Sequence, residues 1–182
     1  MGVLNAFLTT WDHARATFGE GVPHGGDGLD QSAQLRRLQG DVEAAAPKGW
    51  TGTASDTYAE ANQRQSRALG SMANLDQRLK AEVDRSAAVV SAGRRDLEAV
   101  RQWVVDAAAT VPNTALGERM LWPVISKGAG EVAEILQRSN GDLAAIAGRI
   151  RALGAEYDEI ASPEVGRNRR AGELSGGRRR QG

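Results

Sequence analysis

Between Gly52 and Pro112 the chain carries no proline. Over this stretch Leu69, Met72, Leu79, Val83, Val90, Leu97, Val100, Val104 and Val111 fall into one register of three- and four-residue spacings. Asp76, Ser86, Gly93 and Ala107 take the weak or polar positions of that register. The pattern predicts one helix over 54–110, on the order of 80 Å long at 1.5 Å per residue, where an ordinary helix has about 11–12 residues. A single apolar stripe of that length has to be buried on partners.

A second stripe can meet it. Val132, Leu136, Ser139, Leu143, Ile146, Ile150, Leu153, Tyr157 and Ile160 repeat the register and predict a helix over 123–161, opened by Pro123 at its first position. The link Pro112-Asn113-Thr114 is short enough to return this helix antiparallel, with a helical turn near 115–121. Gly128, Gly130, Gly141, Gly148 and Gly154 weaken its intrinsic helicity by up to about 1 kcal/mol each relative to Ala, so packing must hold it. Upstream, Val3, Leu4, Phe7, Leu8 and Trp11 share one side of a short helix over 3–17, which the glycines and proline of 19–26 end. Leu35, Leu38, Val42 and Ala45 mark a helix over 30–46, stopped by Pro47-Lys48-Gly49. The expected fold is all-α: an elongated helical hairpin or bundle, one domain over 1–161. The Gly- and Arg-rich residues 162–182 are expected to form a disordered tail. Leu79, Val83, Val90, Leu97, Val100, Val104, Leu136, Leu143, Ile146, Ile150 and Leu153 are the expected helix-packing interface.

Composition excludes several functions. Of 182 residues none is cysteine, so there is no disulfide, thiolate nucleophile or cysteine-ligated metal. Only 4% of the chain is aromatic against 41% hydrophobic, which suits a slim helical body. The formal net charge is zero, but six arginines against Glu164 and Glu173 make residues 163–182 basic and leave the body mildly acidic. No stretch approaches the 18 or more apolar residues of a membrane span. The N-terminus lacks the basic start of a Sec signal.

Trp50-Thr51-Gly52 lies between the two helices predicted over 30–46 and 54–110. Trp50 can bury about 150–250 Å², Gly52 allows a sharp bend, and Thr53, Ser55 or Asp56 can cap the helix that follows. Pro47 to Tyr58, with an amphipathic helix before and a long one after, resembles the WXG-type proteins exported by actinobacterial type VII (ESX) secretion systems. Phe18-Gly19-Glu20-Gly21-Val22-Pro23, followed by Gly25-Gly26-Asp27, is similar to the start of the EspA/EspE group of that class. The resemblance implies a helical-hairpin protein that pairs with itself or with another helical protein and is recognised while folded. It also implies that the protein is not an enzyme. Trp50 and Gly52 would form the recognition turn.

Such proteins carry a Tyr-x-x-x-Asp/Glu export motif near the end of the last helix. The matching region here is Tyr157-Asp158-Glu159-Ile160-Ala161, in which Ala161 stands where the acid belongs and Tyr157 also reads as a stripe position. The signal is degenerate, supplied by a partner, or absent. Leu174-Ser175-Gly176-Gly177-Arg178 matches an ABC-type signature loop only by chance, because the chain has no P-loop. His24 near Asp27 and Asp30 offers too few ligands for a metal site, and no catalytic set is apparent. The arginine tail has no interleaved aromatic side chains for stacking on bases.

The sequence therefore points to a type VII secretion substrate or secretion-associated protein acting by protein–protein contact, without cofactor or metal. It would be cytoplasmic before export and secreted or envelope-associated by a non-Sec route. The alternative is a cytoplasmic coiled-coil adaptor that is never exported.

Overall fold

The structure, a computed structural model, describes residues 2–45, 49 and 51–162. The described residues form α1 (Gly2–Thr17), a 3-10 turn (Gly26–Leu29), α2 (Ser32–Ala44), α3 (Thr53–Ala109) and α4 (Ala115–Ala161), with no strand. The all-α class expected from the stripes is observed. The expected tail and the stop at Pro47-Lys48 lie outside the described residues. Contacts gather into two compact units: Met1–Gly25 with Val83–Ala147, and Gly26–Glu82 with Gly148–Gly182.

The first unit has an aromatic core. Phe7, Trp11, Ala14 and Phe18 follow one another at spacings of four, three and four, which puts them on one helical face. All are buried, together with Leu97, Val100 and Val104 of α3 and Val132 and Ile135 of α4. The indole Nε1 of Trp11 donates to the Leu97 carbonyl at 2.6 Å, and the Arg101 guanidinium stacks over its ring at 5.3 Å. Glycines make room for this packing. A β-carbon on Gly128 would lie 2.7 Å from Val104 and 3.1 Å from Phe7, and one on Gly93 would overlap the Phe18 ring. In sequence these glycines read only as weak helix positions; in three dimensions they are notches that seat α1.

The chain leaves α1 through Gly19 and Gly21, whose φ of 67° and 75° is the left-handed conformation that favours glycine. The Arg94 guanidinium donates to the carbonyls of Phe18 and Gly21 and so fastens the end of α1 to α3.

α4 begins upstream of the expected start at Pro123. Thr114 nucleates it: its hydroxyl accepts from the Gly117 amide at 3.2 Å, and its carbonyl from the Glu118 amide at 3.0 Å. The Gly2 amide donates to Glu118 at 2.6 Å, and Leu121 is 1% exposed. Capping and burial of that first turn outweigh the roughly 3 kcal/mol that an interior proline costs a helix. Pro123 itself is exposed inside α4.

Polar fastenings hold the second unit. α2 runs antiparallel to the first half of α3, with Ser66 donating to Glu43 at 2.6 Å and Asn62 to the Val42 carbonyl at 2.6 Å. At the other end of α2 the Gln31 amide donates to Asp76 at 3.2 Å. Lys80 there pairs with Asp27 at 2.7 Å. The last turns of α4 lie antiparallel to α3 through Arg149 with Glu82 at 2.9 Å and Arg78 with Glu156 at 2.6 and 2.8 Å. Among the described residues Ala73, Leu75 and Leu153 are the buried apolar residues of this unit. No helix among the described residues is long and apolar enough to cross a membrane.

Candidate interaction site

The sequence placed three features in line for partner contact: the turn, the stripes and the end of α4. At the turn, Trp50 lies outside the described residues. Gly52 is exposed with φ of 107°, a conformation costly for residues with a β-carbon. Its carbonyl accepts from the Asp56 amide at 3.1 Å, which starts α3 at Thr53.

The stripes divide by burial. Leu97, Val100, Val104, Ile146 and Leu153 are 0–6% exposed, consumed by the chain's own packing. Leu79, Val83, Val90, Leu136, Leu143 and Ile150 remain half-buried. The structure thus separates positions already filled from those that can still accept contact. Phe7, Trp11 and Phe18 dominate the first core. Their common face was visible in the sequence for Phe7 and Trp11, but nothing local named its destination.

At the end of α4 the Tyr157 hydroxyl donates to Asp76 of α3, the same carboxylate that receives the Gln31 amide. Burial, reinforced by the neighbouring Asp76 carboxylate, pushes the Tyr157 phenol well above its ordinary range. In sequence Asp76 read as a flaw in the stripe; it is the acceptor that joins α2, α3 and α4. Asp158 and Glu159 are exposed. Glu156 is held below the usual carboxylate range by the Arg78 guanidinium. Glu43 is lowered by the Ser66 hydroxyl and then Gln39, and Asp30 by Ser32. Glu156, Glu159 and Ile160 of α4 face Gln39, Arg67 and Arg78 across an open groove of about 770 Å³.

Chemically these are surfaces for packing and ion pairing. Among the described residues no group of three or more His, Asp or Glu is arranged to hold a metal ion.

Residues 18–99, from the end of α1 through α2 and most of α3, match the family model of the EspA/EspE family. The match covers just under half of the 182-residue chain. It upholds the resemblance to the EspA/EspE group read from Phe18 to Asp27. No curated protein and no solved structure is significantly similar to it.

Proposed function

With the stretch from Phe18 to Ala99 matching the EspA/EspE family, we propose that this chain is a type VII (ESX) secretion substrate or accessory protein that works by pairing, not by catalysis. The observation that carries this reading is where the match falls: it spans α2, the Gly52 bend and most of α3, the helix–turn–helix such a partner would grip. Trp50 and Gly52 form the recognition turn. The half-buried stripe residues, Val83, Val90 and Leu136 among them, are where a partner helix, from another protein or a second copy, adds contact.

The export signal is assigned to that partner. Tyr157 is occupied by Asp76, and Ala161 replaces the acid the motif requires. The protein would reach the envelope or medium by a non-Sec route after folding in the cytoplasm. Immunoblotting the medium of the native host with and without a working secretion ATPase tests this. The expected result is ATPase-dependent appearance, and cellular retention of Trp50→Ala with its helical circular dichroism intact. Secretion of Trp50→Ala at the normal level overturns the role of the turn.

The incomplete motif at Tyr157 favours a second reading, a cytoplasmic coiled-coil adaptor. That reading predicts an empty medium in both strains.

A further inference from the structure

The first three turns of α4 belong to the first unit and present an outward face unlike the rest of that helix. Leu116, Met120 and Trp122 are 63%, 57% and 59% exposed, and Arg119, Pro123 and Lys127 are exposed beside them. At 100° per residue Leu116, Arg119, Pro123 and Lys127 lie opposite Leu121, Gly128 and Val132, which enter the core, and Met120 and Trp122 flank them on either side. The acid of this segment, Glu118, is half-buried and turned to the Gly2 amide. The face is therefore apolar and cationic, and its nearest acid, Glu131, is paired with Lys127. Beyond Lys127 the same face continues as Gly130, Ala133, Glu134 and Gln137, so the apolar character is confined to the end nearest the α3–α4 link.

Charge and size decide what fits it. The chain's own tail carries six arginines against two acids and cannot complement a cationic face. A second copy docked symmetrically would set Arg119 near its own image, while Glu131, the nearest acid, is already paired with Lys127. Scaled by their exposed fractions, the three apolar side chains offer about 450 Å², even if each is given the upper end of an aromatic's area. That falls short of the roughly 800 Å² per partner of a standard protein interface. Exposed Trp, Met and Leu with Arg and Lys at the start of α4 match the headgroup–acyl boundary of a bilayer, where indoles settle and cations meet anionic lipid. Lys127 already lies over the Trp103 ring at 5.0 Å and 3.5 Å from Glu131, so Arg119 is the principal contact for lipid phosphate.

We propose that this face docks the protein on anionic lipid bilayers, with Leu116, Met120 and Trp122 inserted and Arg119 at the phosphates.

The test uses the purified full-length chain and vesicles of phosphatidylglycerol with phosphatidylcholine, or of phosphatidylcholine alone. It therefore stands apart from any result on export. Sedimentation should show binding at least tenfold tighter to the anionic vesicles. The combined Leu116→Ser, Met120→Ser, Trp122→Ser variant should lose at least tenfold, and Arg119→Glu should lose a substantial part. Trp122→Phe should still bind but lose the blue shift of tryptophan emission. Full binding by the serine variant would assign the attachment to the arginine tail and overturn the proposal. Absence of binding to anionic vesicles would overturn it equally, leaving an acidic protein surface as the occupant.

Discussion

The Phe18 ring occupies the space that a side chain at Gly93 would need, so the end of α1 and the middle of α3 meet through a notch one residue wide. Phe18 is 9% exposed and belongs to the core of the first unit. It cannot swing away without giving up that burial.

Gly93→Ala pits two effects against each other. Alanine favours the helix by about 1 kcal/mol, whereas overpacking a filled core costs about 1–3 kcal/mol. The second should win, because the obstructing atoms are a buried ring. Chemical denaturation should show a net loss of stability, while Gly141→Ala, where nothing outside the helix's own backbone and the adjoining residues lies within 4 Å of the added carbon, should show a gain.

Trp11 contributes both bulk and a hydrogen bond, and the two can be separated. Trp11→Phe removes the donor to Leu97, worth about 1 kcal/mol, and keeps most of the ring volume. Trp11→Ala should cost about 3–5 kcal/mol through the cavity it leaves. Equal losses in urea denaturation would mean that the hydrogen bond, not the packing, carries the residue's contribution.

Pro123 interrupts the hydrogen-bond ladder of α4 on its exposed side. Since Thr114 and Leu121 already hold the turn before it, Pro123→Ala should stabilise the protein, by up to about 3 kcal/mol. A drop in melting temperature would contradict the capping account of where α4 begins.

The Tyr157–Asp76 hydrogen bond makes the second unit sensitive to alkali. The folded phenol has its pKa raised above the ordinary value near 10. Its contribution is therefore complete below pH 10 and is lost as pH rises from there towards the folded value. Wild type should lose melting temperature above pH 10 more steeply than Tyr157→Phe. On the acid side the signs reverse. Glu43, Glu156 and Asp30 have lowered pKa values in the folded protein. Their contribution is present above the ordinary carboxylate range and is lost as pH falls through the lowered values. Melting curves of Glu156→Gln should be flatter than wild type below pH 5.

Much of this could be read from local pattern. The long helix from Thr53 to Ala109 follows from a proline-free stretch of regular apolar spacing, and the matching stripe foretold α4 beyond Val132. The start of α4 was misplaced because proline is a strong local signal, whereas the cap at Thr114 and the anchoring of Glu118 by Gly2 depend on packing and on a residue 116 positions away.

Periodicity along one segment therefore determined that this chain is helical, and which side of each helix is apolar. Only the tertiary structure decided that Phe7 and Phe18 dock over Gly128 and Gly93, that Asp76 receives both Gln31 and Tyr157, and that the apolar side chains at the start of α4 face outward. The reason is physical. Helical spacing is written in neighbouring residues, but the partner of a face is chosen by steric and hydrogen-bond complementarity between segments far apart in the chain.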